Sequence, residues 1–246
     1  MEAAAPAAEL QRQERAYRER AVTWRGSRRM SYQWQVELEA VLARLRPRPG
    51  LRVLDAGCGV GRLSCAALRA GASVVSVDFA LHRLQHLRRQ APAHRPAQLC
   101  QADVTQLPLR EPGFDAVVCT QVLEHIPDPA ARRRLLAAFA AQLRPGGECL
   151  LTVYNFSLAW RRQGQPREGL HASGVFYHCY DAAELRADLE GWDVLELCGI
   201  IHLLPHTWRL FPLLGPVARP FDHALERRGA FSRRWGLLLL AHARRR

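Results

Sequence analysis

The sequence contains no lysine, so all 35 of its basic residues are arginine. Alanine, glycine and proline are also abundant, and GC-rich codons encode all four of these residue types. The formal net charge of +12 therefore has two explanations, a biased genome composition or attraction to an anionic partner. Such a partner would be nucleic acid, acidic lipid or a phosphorylated substrate. The charge alone does not separate these explanations.

The sequence also lacks paired cysteines. Its seven cysteines are scattered along the chain, and no two of them form a Cys-x-x-Cys pair. This pattern excludes a zinc ribbon or a disulfide framework and indicates reduced, buried thiols. No histidine, cysteine or acidic residues have the spacing of metal ligands, so the sequence predicts a metal-free mechanism.

Long apolar runs are absent as well. Residues 1–20 lack the apolar core of a signal peptide, and no uncharged apolar run reaches the ~18 residues that a spanning helix needs. We therefore expect a cytoplasmic protein that is soluble or peripheral to a membrane. We find no internal repeat, and 246 residues suit a single domain with additions.

The segment VLDAGCGVG at residues 53–61 is the centre of the pattern. Residues 52–55 read as a short buried strand, and three alternate glycines follow before a helical run begins at residue 63. Such a turn brings a ligand close to the main chain and to a helix N-terminus. Asp55 at the strand end would repel a pyrophosphate and attract a cation, so the sequence favours a cationic ligand over a dinucleotide.

Four further motifs follow this segment in a fixed order. They are VVSVD at 74–78, QAD at 101–103, FDAVVCTQVLEHIP at 114–127 and LRPGG at 143–147. With these five motifs, residues 51–190 resemble the class I S-adenosylmethionine-dependent methyltransferases. The resemblance implies S-adenosylmethionine as cofactor, whose sulfonium and ammonium groups would suit Asp55.

The alternation of strand and helix patterns predicts an α/β fold. We expect a Rossmann-like, doubly wound, seven-stranded sheet that is mostly parallel with an antiparallel last strand. The predicted strands are 52–55, 73–78, 98–103, 115–120, 148–154, 192–200 and 235–243. The predicted helices of this domain are 63–70, 81–90, 128–143 and 181–190, and residues 156–175 read as a linker.

Two regions lie outside this alternating pattern. Residues 1–50 are predicted to form an N-terminal helical cap before the methyltransferase domain at 51–246. Within the cap, residues 8–22 read as a solvated helix or frayed tail, and residues 30–45 read as an amphipathic helix. A helical insertion is predicted at about 202–234, with many apolar and arginine residues.

The candidate ligand residues fall at the carboxyl ends of strands, the edge where open parallel sheets bind ligands. Asp78 lies 23 positions after Asp55, which is the spacing of an acid that binds ribose hydroxyls. The resemblance implies that Asp103 and Val104 contact adenine, although Asp103 also suits a turn. The predicted cofactor-binding residues are Asp55, Ala56, Gly57, Cys58, Gly59, Gly61, Asp78, Phe79, Asp103, Val104, Thr120 and Gln121. Small size explains Cys58 better than a nucleophilic role does.

Two histidines are candidate catalytic residues. His125 follows the fourth strand, where it would either accept a proton from the acceptor or orient the next helix. His178 lies between two tyrosines and would either line the acceptor pocket or pack in an aromatic cluster. The pattern gives less support to His171. The predicted substrate-binding residues are Tyr32, Tyr154, Asn155 and Tyr180, and packing against the sheet is the alternative for Tyr32.

The predicted reaction is O- or C-methylation of a small-molecule or lipid-like acceptor. Residues 123–128 (LEHIPD) resemble the corresponding segment of quinone-biosynthesis methyltransferases. The insertion at 202–234 would be a lid over a lipophilic acceptor, a contact with an anionic membrane surface, or an extra helical pair. The sequence does not indicate an oligomeric state.

Two alternative functions are retained. Residues 176–180 (FYHCY) resemble a segment of tRNA wobble-uridine carboxymethyl methyltransferases, and arginines suit RNA phosphates. Arginines that converge on the pocket face would favour this alternative, and scattered arginines would not. The other alternative is a partner subunit that binds the cofactor without activity.

Overall fold

A computed structural model describes residues 7–20, 28–109, 112–202 and 211–246 of the chain. Within these ranges, the structure describes the backbone alone for residues 8, 11, 13, 17–20, 28–31 and 211–216.

In the described residues, seven strands form the main sheet. They are β1 (Arg52–Ala56), β2 (Ser73–Asp78), β3 (Gln98–Gln101), β4 (Phe114–Thr120), β5 (Leu143–Tyr154), β8 (Trp192–Ile200) and β9 (Leu238–Arg245). Their order is β3-β2-β1-β4-β5-β9-β8. Strands β1 to β5 pair in parallel, whereas β9 is antiparallel to both of its neighbours. This order confirms the predicted Rossmann-like, doubly wound sheet with an antiparallel last strand.

A second, small sheet pairs β6 (Glu168–Leu170) with β7 (Phe176–His178). The helices are α1 (Ala7–Arg20), α2 (Arg28–Leu45), α3 (Arg62–Arg69), α4 (Leu81–Gln90), α5 (Pro129–Gln142), α6 (Leu158–Arg162), α7 (Ala182–Asp188), α8 (Phe211–Glu226) and α9 (Ala230–Trp235). Single 3-10 turns lie at Val104–Gln106 and Leu123–His125.

Apolar side chains cover both faces of the main sheet. One cluster joins the sheet to Phe139 of α5 and Leu185 of α7. The other joins the opposite face to α2 and α3. Neighbouring residues of β4 point to opposite clusters, Val117 to the first and Val118 to the second. A strand buried on both faces is continuously apolar, as the sequence of β4 indicates.

Acidic N-caps fix two of the helices. The Asp128 side chain accepts a hydrogen bond from Ala130 N at 2.9 Å, and Pro129 occupies the first helical position. Asp181 caps α7 through the backbone N–H groups of Ala183 and Glu184. The Glu184 carboxylate pairs with other side chains instead of closing a capping box.

Several predicted boundaries are wrong. The third strand ends at Gln101 because Asp103 caps a 3-10 turn. The last strand begins at Leu238 because Trp235 still belongs to α9. The predicted linker at 156–175 contains α6 and β6, and part of the predicted insertion forms α8 and α9. Residues 203–210 of that insertion lie outside the described residues.

Candidate active site

Polar side chains from neighbouring strands meet at the carboxyl edge of the main sheet. Asp55 lies near the end of β1, Asp78 ends β2 and Thr120 ends β4. Strand β1 lies between β2 and β4, so these three positions are adjacent. Asp103 follows β3 on the far side of β2. The sheet therefore brings together three acids that are distant in the sequence.

The glycine loop after β1 is held against β2. The backbone N–H groups of Gly57 and Cys58 donate to Val77 O at 2.8 and 2.9 Å. Gly57 and Gly61 have positive φ angles of 78° and 82°. A Cβ at either position would also overlap a packed side chain, Val122 or Leu87 respectively. Packing and backbone conformation therefore both require glycine here.

Asp55 is a buried carboxyl group that faces a cavity between the sheet and α2. Its side chain is hydrogen-bonded by Ser64 Oγ, and the residue is 2 % exposed. Burial, together with the nearby charge of Asp78, raises the pKa of Asp55 to about 6, although the Ser64 hydrogen bond opposes this shift. A positively charged ligand in the cavity would stabilise the ionised carboxylate and so oppose the rise in the pKa of Asp55.

Asp78 is tied to the glycine loop. Gly59 N donates to one of its carboxylate oxygens at 2.9 Å, and Ala80 N donates to the other at 2.9 Å. Because a carboxylate oxygen can accept two hydrogen bonds, each oxygen keeps acceptor capacity for a ligand hydroxyl. Half-buried Phe79 follows directly.

Asp103 combines a turn with a contact to α1. One carboxylate oxygen accepts from Thr105 N and Thr105 Oγ1 at 2.9 and 2.8 Å, which closes the 3-10 turn at Val104. The other oxygen pairs with Arg15. The sequence indicated only a solvated or frayed segment at 8–22, so the contact between α1 and this edge was not predicted.

Glu37 of α2 is a buried acid that the sequence reading missed. One of its oxygens accepts from Gln121 Nε2 at 2.7 Å and from Arg62 at 3.2 Å, and the other accepts from Thr152 Oγ1 at 2.6 Å. The only sequence signal is a carboxylate within the apolar face of an amphipathic helix. Glu37, Asp55 and Thr120 line a cavity of about 30 Å³, which holds about one water molecule.

Four rings form a cluster, which we call the aromatic cage, beside this edge. They are His125, Tyr154, His171 and Tyr177. The ring of Tyr154 meets those of His125 and His171 edge-on at 5.7 and 5.8 Å, and Tyr177 lies 4.7 Å from His171. His125 Nδ1 lies 2.7 Å from Phe176 O. Since a carbonyl only accepts, Nδ1 carries a proton, and the neutral form of the ring would have its lone pair on Nε2.

Other predicted pocket residues lie elsewhere. His178 points away from Tyr177, as strand alternation requires, and contacts Glu168 and Glu184 at 3.2 and 2.8 Å. Its aromatic neighbour Tyr180 is fully buried in the core.

Tyr32 and Asn155 have structural partners. The Tyr32 hydroxyl donates to buried Asp222 of α8 at 3.1 Å, which agrees with the packing alternative. The Asn155 amide donates to Arg233 O and Gly236 O, both at 2.7 Å, and so fixes the backbone around α9. Burial raises the pKa of Cys58 well above its usual range, which does not suit a nucleophilic thiolate.

A family model described as a methyltransferase domain matches residues 27–196, well over half of the chain. The chain belongs to the class I S-adenosylmethionine-dependent methyltransferase family. The match begins at residue 27 and therefore includes α2.

Known proteins resemble this methyltransferase chain in two ways. A ubiquinone biosynthesis O-methyltransferase of Xanthomonas campestris pv. campestris (strain B100) is 42% identical over 126 residues, which are 49% of each chain. The matched segment thus spans about half the length of that relative. The Burkholderia thailandensis 1,6-didemethyltoxoflavin-N1-methyltransferase, solved with its acceptor and S-adenosylhomocysteine, has a TM-score of 0.66 at 20% identity, covering 100% of this chain and 92% of that one.

The [4+2]-cyclase SpnF has a TM-score of 0.58 at 19% identity, covering 85% of this methyltransferase chain and 79% of the cyclase. At this identity the likeness shows the fold alone. The fold therefore does not by itself fix the reaction, and the site has to be argued from its residues.

The chemistry of the edge fits S-adenosylmethionine. Asp55 would face its cationic groups, Asp78 its ribose hydroxyls and Asp103 its adenine amine. Half-buried Thr120 and Gln121 lie beside the end predicted to hold the methionine moiety. Ala56 and Val104 are buried at the same edge. These roles are proposals that the geometry supports.

We expect the affinity for S-adenosylmethionine to fall as the pH is lowered through about 6, the pKa of Asp55. A cationic ligand requires the ionised carboxylate, so binding at pH 5 should be roughly tenfold weaker than at pH 7. Calorimetric titration between pH 5 and 8 measures this change. The free energy of unfolding of the ligand-free protein should change in the opposite direction. It should fall as the pH rises from 3.8 to about 6, because the folded state binds the Asp55 proton more tightly than the unfolded state does. An affinity that stays constant over this range would contradict the assignment.

We expect Arg15→Gln to strengthen cofactor binding. The ion pair with Asp103 has to open before adenine reaches the carboxylate. Because the Arg15 side chain is 48% exposed, the pair contributes at most about 1 kcal/mol, or up to roughly fivefold in affinity. Arg12→Gln is the matched control, since Arg12 lies on the same helix and pairs with Glu9 instead. Weaker binding by the Arg15 variant would show that Arg15 itself holds the ligand.

Proposed function

We propose that the chain transfers a methyl group from S-adenosylmethionine to an oxygen or carbon atom of a small or lipophilic acceptor bound at the aromatic cage. The observation that carries this proposal is the position of the cage. His125 follows β4 and Tyr154 ends β5, so both lie next to the edge where Asp55 and Thr120 face the cavity. Rings of this kind suit a flat or apolar acceptor.

The printed names of the relatives agree with this class of acceptor. The Xanthomonas relative is a ubiquinone biosynthesis O-methyltransferase, and its matched segment is 42% identical. The Burkholderia structure contains 1,6-didemethyltoxoflavin, which is also a small molecule. Neither name identifies the acceptor of this chain.

The residues of the site divide into those that position ligands and one that moves a proton. S-adenosylmethionine, when bound, supplies a methyl group on a positively charged sulfur. The chain mainly has to align acceptor and methyl group and to exclude water. Where the acceptor is a hydroxyl, His125 Nε2 can take its proton, because Nδ1 is occupied by Phe176 O.

The arrangement of the arginines favours a small acceptor over RNA. The arginines that pair with acids lie at separate places in the fold, for example Arg44 with Glu196, Arg144 with Asp115 and Arg244 with Glu148. An RNA-binding face would instead gather basic side chains along a surface much longer than a single pocket.

Peripheral membrane contact is a further part of the proposal. Val217 and Phe221, one turn apart on α8, are 60% and 63% exposed, and Arg227 and Arg228 follow them. In the described ranges, no helix has both the length and the apolar character needed to cross a bilayer. An exposed apolar pair next to arginines suits an anionic membrane surface.

We expect Phe221→Ser to reduce flotation with phosphatidylglycerol vesicles and to leave the background with phosphatidylcholine vesicles unchanged.

The test of the proposed function is methyl transfer from a labelled donor. Purified protein would be incubated with the donor and with separate pools of small molecules, extracted lipids and RNA. We expect label in the small-molecule or lipid pool. Label in RNA alone would overturn the acceptor class. Cofactor binding without transfer to any pool would support the partner-subunit alternative.

A further inference from the structure

A second cavity lies on the other side of Asn155, between α6, the start of α7 and α9. Its volume is about 330 Å³, at the lower end of the range for small-molecule sites. It is much larger than the cavity beside Asp55. Three arginines line it, Arg161, Arg233 and Arg234.

Both oxygens of the one acid in this cavity already have partners. Asp181 lines the wall, but one of its oxygens accepts from Arg167 at 3.0 Å and the other caps α7. Three guanidinium groups and one carboxylate leave a formal excess of two positive charges in the lining. A phosphate monoester carries about the same charge with opposite sign near pH 7.

Arg161 and Arg233 are held by neighbours that are not acids. The Arg161 guanidinium lies 4.5 Å above the Phe156 ring and donates to Phe156 O at 3.1 Å. Arg233 donates to Leu197 O at 3.3 Å. In the part of the chain that the structure describes, the side chain of Arg234 has no hydrogen bond or ion pair. The two hydrogen bonds from Asn155 to the backbone around α9 fix this pair of arginines relative to β5.

We propose that this cavity, lined by Arg161, Arg233 and Arg234, binds the phosphate group of a small ligand. Guanidinium groups offer forked donors that match phosphate oxygens. The proposal does not depend on the proposed methyl transfer. The cavity nevertheless lies next to the aromatic cage. Trp160 of α6 meets the Tyr177 ring of the cage at 5.9 Å, and Arg161 of the cavity lining follows Trp160 in the chain.

Calorimetric titration of the full chain with inorganic phosphate and with phenyl phosphate, at ionic strength held constant by sodium chloride, tests the proposal. We expect both probes to bind, and the double variant Arg233→Gln/Arg234→Gln to weaken binding by roughly tenfold or more. The matched control is Arg88→Gln/Arg89→Gln, which removes the same charge from two neighbouring exposed arginines of α4 outside the lining. This control should bind both probes as the unmodified chain does.

Loss of the contact between Arg233 and Leu197 O can itself disturb folding, so Arg234→Gln is measured separately. Its melting temperature without phosphate should equal that of the unmodified chain, and its phosphate affinity should still fall several-fold. Equal phosphate affinity of the Arg234→Gln variant and the unmodified chain would overturn the proposal. Binding only to vesicles that contain phosphatidic acid, or only to an RNA oligonucleotide, would also overturn it, because the cavity would then not hold a soluble phosphate.

Discussion

Asp78→Ala is expected to weaken S-adenosylmethionine binding by on the order of a hundredfold, because a carboxylate that binds two ribose hydroxyls makes charge-assisted hydrogen bonds. Asp78 ends β2 at the carboxyl edge and is only 5% exposed, so water replaces the lost contacts poorly. Calorimetric titration with S-adenosylmethionine and S-adenosylhomocysteine gives the dissociation constants. Similar losses for both ligands would place the defect at the shared ribose and not at the charged sulfur.

Asp78 also holds the glycine loop, so the binding loss has to be separated from a folding defect. Asp78→Asn keeps an oxygen that can accept from Gly59 N or Ala80 N, and its melting temperature should therefore drop less than that of Asp78→Ala. We expect the Asn variant still to bind at least roughly tenfold more weakly, since it loses the charge. Asp193→Ala removes an exposed acid on β8 and is the matched control. An unchanged affinity in Asp78→Ala would remove Asp78 from the proposed site.

The strands and their order in the chain could be predicted because their signals are local. β2 and β8 have the predicted bounds, and β4 is apolar because both of its faces are covered. The acids at the strand ends follow from the same pattern, since parallel strands place their carboxyl ends at one edge. The family resemblance then supplied a role for each of these acids.

The contacts that cover the site could not be predicted because they join distant parts of the chain. Arg15 reaches Asp103, which is 88 residues away, and Glu37 reaches Thr152, which is 115 residues away. No local pattern distinguishes Arg15 from a solvated side chain, and the only signal for Glu37 is its place on the apolar face of a helix. The sequence identifies Tyr177 only as a neighbour of His178. The register of β7 decides that Tyr177, and not His178, faces the cage.

The orientation of β7 also indicates which histidine can take part in proton transfer. His178 is enclosed by Glu168 and Glu184 on the face away from the cage. His125 lies in the cage, and its Nδ1 is fixed by a carbonyl. We therefore propose His125 as the base for a hydroxyl acceptor and expect substitutions at His178 to act mainly through stability.

His125→Ala is expected to lower the turnover of a hydroxyl acceptor by roughly a hundredfold or more, the usual contribution of a positioned general base. The dissociation constant of S-adenosylmethionine should change little, because His125 lies in the cage and not among the three acids. Single-turnover rates with a labelled donor measure the effect. Imidazole added to the Ala variant should restore part of the rate, which would not follow if His125 only oriented the next helix. His86→Ala, an exposed position on α4, is the matched control. Full turnover by His125→Ala would show that the acceptor loses its proton without help from this side chain.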